Sequence, residues 1–158
     1  MISIGQAKSL DAIEAARGLF VEYGALPDVN IPRHEIAGLP GEYAPPWGAL
    51  LIAMEGEAAA GCVALRKLGK DTCEMKRLYV RPKYRGQEVG KRLVHEIIAR
   101  AQDLGYARML LDSRPSMQAA IRLYRSVGFR EIASYMADPV PGALFFELEL
   151  TRSAHASG

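Results

Sequence analysis

A helical segment enclosed by two short apolar segments is the feature that most constrains the fold. Between residues 89 and 104, apolar side chains recur at 89, 93, 97, 101 and 104, a spacing that predicts one buried helix face. Residues 72–80 before it and 107–111 after it have the apolar character of buried strands. A strand, a helix and a strand in this order predict a parallel strand pair with a right-handed crossover.

Further strands flank this unit and extend the sheet. Short turns separate apolar segments at 49–54, 58–67 and 72–80, which predicts an antiparallel meander. We also predict strands over 2–6, 129–134 and 143–150, and helices from the Ser9 cap to Gly24 and over 115–127 with a proline in its first turn. We therefore expect one domain over residues 1–150, of the α/β class, with a mixed, mostly antiparallel sheet, helices on both faces and a central parallel strand pair. Residues 151–158 are expected to form a flexible C-terminal tail.

Composition and charge exclude several classes of protein. The net charge of +2 is too balanced to indicate a nucleic-acid partner. No apolar segment approaches the roughly 20 residues of a membrane span, and no secretory signal is recognisable, so no membrane partner is expected. The two cysteines, Cys62 and Cys73, have neither disulfide nor metal spacing, and we expect reduced thiols, a cytoplasmic location and no metal site.

A cationic turn joins the strand at 72–80 to the long helix. Seven Lys or Arg residues and a single acid, Glu88, lie between residues 76 and 92. The first amides of a helix lack internal partners and carry partial positive charge, and glycines at 86 and 90 let an anion approach the backbone. This combination predicts a pyrophosphate-binding turn, and the alternative is a plain solvated basic surface. The turn lacks the sequence of a Walker loop and the three-glycine spacing of a dinucleotide fingerprint.

Two motifs resemble those of the GNAT superfamily of acetyl-CoA-dependent N-acetyltransferases. Residues 85–90, Arg-Gly-Gln-Glu-Val-Gly, resemble its Arg/Gln-x-x-Gly-x-Gly/Ala pattern. Residues 120–129, Ala-Ile-Arg-Leu-Tyr-Arg-Ser-Val-Gly-Phe, resemble its Ala-x-x-Leu-Tyr-x-x-x-Gly-Phe pattern. The likeness covers about residues 72–131, with the motifs in the family's order. It departs at Glu88, where the family usually carries glycine, and at Met117, where an asparagine often begins the later helix.

The resemblance implies roles for individual residues. Backbone groups of Leu78 and Val80 would lie beside the pantetheine arm of acetyl-CoA. Tyr124 would protonate the departing thiolate, and the alternative for this residue is a core aromatic. Glu74 is the candidate base, because it lies at the position of a base glutamate in histone-acetylating relatives. Strand alternation is expected to put Glu74 on the same face of the strand as Leu78 and Val80. The alternative for Glu74 is a surface carboxylate paired with a cation. The pyrophosphate would be bound by Arg85, Gly86, Gln87, Val89, Gly90 and Lys91.

The resemblance implies an N-acetyltransferase that moves an acetyl group from acetyl-CoA to a primary amine of a small molecule or peptide by direct attack. The acceptor pocket is expected to involve the loop over 26–47, Glu74 and the loop over 135–141. Asp28, Glu42 and Asp138 would hold a cationic amine, and Tyr43 and Trp47 would supply apolar walls. One alternative is a catalytically silent GNAT-fold module that binds acyl-CoA or a protein partner, favoured by Glu88 and Met117; another is a nucleic-acid-binding module. A homodimer is the alternative to a monomer.

Overall fold

The computed structural model describes residues 1–150, and the tail predicted over 151–158 lies outside the described residues. Apolar alternation and short turns produce the strands of one seven-stranded sheet. The strands are β1 (Ile2–Gln6), β2 (Ala49–Glu55), β3 (Ala58–Lys67), β4 (Thr72–Val80), β5 (Arg108–Ser113), β6 (Arg130–Ile132) and β7 (Leu144–Glu149). The helices are α1 (Leu10–Gly24), α2 (Arg33–Ala37), α3 (Val89–Asp103) and α4 (Gln118–Ser126), with short 3₁₀ helices at Gly41–Tyr43 and Pro82–Tyr84.

The strands lie in the order β1-β2-β3-β4-β5-β7-β6, and of the described neighbours only β4 and β5 run parallel. α3 forms the crossover between them, because a parallel connection must leave the sheet and return to its starting edge. The prediction of a mixed, mostly antiparallel α/β sheet with a central parallel pair is confirmed. β6 is shorter than the strand predicted over 129–134 and has three residues at the edge of the sheet.

Capping residues set the helix boundaries, with one departure from prediction. The Ser9 hydroxyl accepts a hydrogen bond at 3.1 Å from the amide three residues ahead, so Ser9 caps α1 as expected. The prediction of a helix over 115–127 is wrong at its start, because α4 begins only at Gln118. The Met117 amide donates to the Arg114 carbonyl at 2.9 Å, which closes a turn before the helix. Pro115 therefore lies within this turn and not in the first helical turn.

Two apolar cores cover the two faces of the sheet. Neighbouring residues of β3 alternate between them, since Val63 belongs to the core that includes α3 and Cys62 to the core that includes α1. α4 packs on the α3 side through Ile121. Burying an aliphatic or aromatic side chain contributes about 1.5–3 kcal/mol, so the amphipathic helices stabilise the central strands from both sides. The buried residues are Ala16, Leu19 and Phe20 in α1 and Val89, Leu93, Val94, Ile97 and Ala101 in α3.

A β-bulge interrupts β4. Arg77 has a φ of 61°, in the left-handed region, and the register with β3 shifts beside it. The extra residue reverses the alternation of side chains. Leu78 and Val80 therefore pack against the α3 core, as Met75 does before the bulge, and the buried Glu74 lies on the opposite face. The prediction that Glu74 shares a face with Leu78 and Val80 is wrong for this reason.

The parallel pairing of β4 with β5 is short. It covers only residues 72–74 against 108–110. β4 then continues along β3 to residue 80, whereas β5 continues along β7 to residue 113. The two strands diverge, and a gap opens within the sheet between residues 75–80 and 111–113.

An ion pair fixes the bulge to the loop over 26–47. Two guanidinium nitrogens of Arg77 each donate to a carboxylate oxygen of Glu35 at 2.8 Å, and the Tyr43 hydroxyl donates to the same carboxylate at 2.9 Å. The side chains of Arg77 and Glu35 are only 14% and 19% exposed. Burial raises the pKa of Glu35, but the hydrogen bonds and charge of Arg77 outweigh it and hold the pKa below its ordinary value. The pair holds α2 against β4.

Glu35→Gln should destabilise the fold in a pH-dependent way. The substitution keeps the shape but leaves the Arg77 guanidinium without its counter-charge, so the free energy of unfolding at pH 7 should fall by about 1.5–3 kcal/mol. Because the folded-state pKa of Glu35 is depressed, the pair stabilises the protein above the ordinary carboxyl pKa. That contribution is lost as the pH falls through the folded-state pKa. Urea unfolding should show the difference between variant and wild type shrinking between pH 7 and roughly pH 3.

Glu131→Gln is the matched control. It removes an ion pair with Arg125 in which the two side chains are 47% and 52% exposed. Exposed pairs contribute little, so this change should cost less than about 1 kcal/mol. Equal losses in the two variants, or a Glu35→Gln loss that persists unchanged in acid, would contradict a stabilising role for the buried pair.

Candidate active site

A groove runs from the end of β4 over the start of α3 and along α4. We call it the turn groove; it has a volume of about 470 Å³. Gln87 and Lys91 are exposed at the same turn but do not line it, and Gln87 donates instead to the Lys83 carbonyl at 3.4 Å. The predicted cofactor-binding residues that do line it are Leu78, Val80, Arg85, Gly86, Val89 and Gly90.

The turn has the local geometry of an anion site. Gly86 has a φ of 83°, and a Cβ atom built there would meet nothing within 4 Å, so the backbone is open to a ligand. Arg85 is exposed, and its Nε donates to the Val80 carbonyl at 3.1 Å, which keeps the guanidinium over the end of β4. The first amides of a helix lack intrahelical partners, and the first residues of α3, Val89 and Gly90, line the same groove. Cation, open backbone and helix start together fit a pyrophosphate.

A second cavity, the central pocket, fills the gap between β4 and β5 and has a volume of about 410 Å³. Tyr23 reaches it from α1 on one face of the sheet, and Tyr124 reaches it from α4 on the other. Tyr23, Leu78 and Met117 line both this pocket and the turn groove. The two cavities therefore adjoin, and the junction is rimmed by the Tyr23 hydroxyl 3.7 Å from the Met117 sulfur.

Tyr124 is held rigidly at the central pocket. Its ring packs edge-on against Phe129 with centroids 5.7 Å apart and lies 6.3 Å from the Phe146 ring. Burial raises the pKa of Tyr124 above its ordinary value, and the nearby Tyr23 and Asp112 raise it further. The phenol therefore stays protonated well beyond neutral pH and is available as a proton donor.

Glu74 is fully buried, and both of its carboxylate oxygens have partners. One accepts a hydrogen bond from Arg66 at 2.7 Å and the other from the Tyr135 hydroxyl at 2.6 Å. Glu74 lines a further cavity of about 330 Å³ together with these two residues, whereas the central pocket is lined by Tyr124. The role of Glu74 as a base stays a prediction. Its carboxylate would have to break these two hydrogen bonds before it could accept a proton from a substrate.

The residues predicted to hold the acceptor are dispersed. Asp28 and Asp138 do line the central pocket. Glu42 accepts a hydrogen bond from Arg66, and Tyr43 is buried and bound to Glu35, as described above. Trp47 is exposed and carries the Lys67 ammonium 4.5 Å above its ring. The last three side chains are thus engaged away from the central pocket.

Sequence reasoning missed three residues that line the central pocket: Tyr23, Asp112 and Arg114. A signal for Asp112 was available, because it is an acid that ends the apolar run at 109–111 of a strand predicted to run parallel to its neighbour. Ligands of open α/β sheets bind outside the carboxyl ends of such strands. Tyr23 gave no such signal, since its spacing on α1 is that of an ordinary core residue.

The comparisons with known proteins agree with this geometry. The Acetyltransferase (GNAT) family matches residues 21–129 of the sequence. The chain belongs to this family. An uncharacterized N-acetyltransferase of Schizosaccharomyces pombe is 42% identical over 120 residues, which cover 75% of this chain and 74% of the relative.

Solved structures share the fold. A GNAT-family acetyltransferase of Staphylococcus aureus superposes with a TM-score of 0.81 at 18% identity, covering 96% of this GNAT chain and 100% of that one. The protein yncA of Salmonella typhimurium, solved with acetyl-CoA, superposes with a TM-score of 0.74 at 20% identity, covering 98% of this chain and 96% of that one. Membership of the GNAT family indicates acyl transfer from an acyl-CoA donor.

No helix within residues 1–150 is both long and apolar enough to cross a membrane. In the same range, no group of three or more His, Cys, Asp or Glu side chains is arranged to hold a metal ion.

Glu88 occupies a strained position in this GNAT domain. It is the residue before α3 and has a φ of 60° and a ψ of 20°, the left-handed conformation that favours glycine. This geometry gives a backbone reason for the glycine usual here in the family. The Glu88 side chain makes no capping hydrogen bond, is exposed, and lines the turn groove.

Two substitutions of Glu88 should separate strain from charge. Glu88→Gly removes the left-handed penalty and the carboxylate, so the free energy of unfolding should rise by up to about 1 kcal/mol and acetyl-CoA should bind more tightly. Glu88→Ala removes only the carboxylate, so it should improve binding without the gain in stability. Urea unfolding and calorimetric titration with acetyl-CoA measure the two effects. Weaker binding in both variants would contradict repulsion between Glu88 and the pyrophosphate.

Proposed function

We propose that this protein transfers the acetyl group of acetyl-CoA to a primary amine. The observation that carries the proposal is the junction of the two cavities: a groove suited to a pyrophosphate and a thin apolar arm opens beside the buried phenol of Tyr124. A thioester held along the groove would present its carbonyl group at the central pocket. GNAT membership and the acetyl-CoA complex of a structural neighbour support the same donor.

The chain's own residues suit each binding task. Arg85 and the first amides of α3 hold the pyrophosphate, and the open backbone at Gly86 is accessible to it. The edge of β4 at Leu78 and Val80, free of β5, aligns the pantetheine arm as an added strand would be aligned. Bound acetyl-CoA supplies the acyl group in activated form, as a thioester.

Transfer then follows direct attack. The neutral amine nitrogen bonds to the thioester carbonyl carbon as the carbon–sulfur bond breaks. Tyr124 donates its hydroxyl proton to the departing sulfur. The amine releases its proton to water, and water then returns a proton to Tyr124, which restores the phenol. A protonated phenol is present for this step because burial has raised its pKa.

We also propose a cytoplasmic location for the enzyme. Cys62 and Cys73 are free and buried, and burial raises the pKa of each thiol to about 12. Thiols of this kind are inert core residues, as is usual in a reducing compartment.

One assay tests the proposed function. Purified protein is incubated with acetyl-CoA and a panel of primary amines, and release of free thiol is followed. Amine-dependent thiol release is expected, and Arg85→Ala should weaken acetyl-CoA binding in calorimetry by about tenfold or more, the effect of one charge-assisted hydrogen bond. Binding without turnover of any amine would favour the silent acyl-CoA-binding module, and no binding at sub-millimolar acetyl-CoA would reject both.

Tyr124→Phe should separate chemistry from binding. The ring and its packing remain, but the proton donor is lost, so kcat should fall by about 10²–10⁴-fold. Acetyl-CoA affinity should hardly change. In the wild type, kcat should not decline between pH 7 and about pH 10, because the phenol keeps its proton over that range while more of the amine becomes neutral. Full kcat in the Tyr124→Phe protein would remove Tyr124 from the mechanism.

A further inference from the structure

The central pocket holds charged groups of both signs. Arg77 is neutralised by Glu35, but two side chains at the end of β5 lack such compensation. Within residues 1–150, neither the Asp112 carboxylate nor the Arg114 guanidinium makes an ion pair or a side-chain hydrogen bond. Both side chains are half-buried, and the partial burial of an uncompensated charge is costly. A ligand that brings both opposite charges would remove that cost. The charged lining residues are Asp28, Lys76, Arg77, Asp112, Arg114 and Asp138.

Asp112 lies close to the place where the chemistry would occur. It lines the pocket with Tyr23 and Tyr124, and its charge contributes to the raised pKa of each of these tyrosines. An ammonium group paired with Asp112 would therefore stand beside the Tyr124 hydroxyl and next to the junction with the turn groove. Glu74 is less accessible to such a group, because Arg66 and Tyr135 occupy its oxygens.

Arg114 follows Asp112 by two residues, at the point where the chain leaves β5. Only one residue separates Asp112 from Arg114, and both side chains line the central pocket. One ligand can therefore bridge the two side chains only if its positive and negative groups are a few ångströms apart. An amine and a carboxylate on the same or on adjacent carbon atoms have this spacing, and a planar guanidinium binds a carboxylate through two parallel hydrogen bonds.

We propose that the acceptor is a zwitterionic amine of the amino-acid type, with its ammonium group at Asp112 and its carboxylate at Arg114. This inference rests on the proposed acetyl transfer and adds the class of the acceptor. Lys76, on β4, lines the same pocket and adds positive charge to its lining. The ammonium group first loses one proton to water at Asp112. The nitrogen then bonds to the acetyl carbon as the carbon–sulfur bond breaks, and the sulfur takes its proton from Tyr124. The nitrogen gives up its second proton to water, and water returns a proton to the Tyr124 phenolate.

Matched sets of acceptors test directly whether the acceptor is a zwitterionic amine. Each standard amino acid is compared with its decarboxylated amine and with its amide in the thiol-release assay, for example phenylalanine with phenethylamine and phenylalaninamide. At least one amino acid should have a kcat/KM about tenfold or more above both of its partners, since only it fills the Arg114 site. Equal kcat/KM across every matched set would overturn the zwitterion and leave acetyl transfer to amines intact.

Substitutions test whether Arg114 causes the preference for an acceptor with a carboxylate. Arg114→Gln should raise KM for the preferred amino acid about 10–100-fold while leaving kcat/KM for the carboxylate-free amine nearly unchanged, and Arg114→Lys should recover part of the loss. Asp112→Asn should impair both acceptors, because both carry the amine. Arg122→Gln, which changes an exposed arginine on α4 outside the pocket, is the matched control.

The outcomes distinguish the two proposals. An Arg114→Gln protein that keeps the preference for the carboxylate would overturn the assignment of Arg114. Acetyl-CoA binding should be unchanged in all of these variants, and a general loss of binding would mean that the substitutions disturb the turn groove instead. If acetyl-CoA binds but no acceptor of either class is turned over, acetyl transfer and the zwitterionic acceptor are both rejected.

Discussion

β4 and β5 share three registered residue pairs before they diverge, and the central pocket lies in the space that this divergence opens. Beyond the point of divergence, the bulge at Arg77 turns the side chains of Leu78 and Val80 toward the α3 core and the groove beside it. The bulge is held in turn by the buried pair with Glu35. Backbone groups along the gap need hydrogen-bond partners, so the fold itself creates a demand that an extended ligand can meet.

Most of the fold could be predicted because its signals are local. Turn residues and alternation define the meander, and the amphipathic periodicity of α3 between two strands requires the parallel crossover. The bulge could not be predicted in this way, since an arginine and not a glycine adopts the left-handed conformation there. Its partner, Glu35, lies 42 residues away in sequence, so the compensating interaction exists only in the folded chain. The face of Glu74 was mispredicted as a direct consequence.

In the candidate site, too, local features could be predicted from sequence, whereas contacts between distant segments could not. Apart from Tyr23 and Leu26, the residues that line the turn groove fall within two segments, 78–90 and 116–123. The two motifs that resemble the GNAT family overlap these segments, so most of the groove could be identified from sequence. The central pocket is assembled from α1, the segment at 28–32, β4, the end of β5, α4 and the loop at 136–143. Tyr43 and Glu42 looked available in sequence but have partners on other elements. Asp112 becomes part of a pocket only because β5 turns away from β4.

The gap in the sheet also affects how this protein avoids self-association. A strand without a neighbour is a template for pairing with another chain, and many proteins must cover or charge such edges. Here the unpaired edges of β4 and β5 face each other inside the molecule, with Tyr23 over one side of the opening and Tyr124 over the other. A second protein's strand would have to displace these two side chains before it could pair with either edge. The divergence that forms the central pocket thereby also keeps two unpaired, aggregation-prone strand edges inside the molecule.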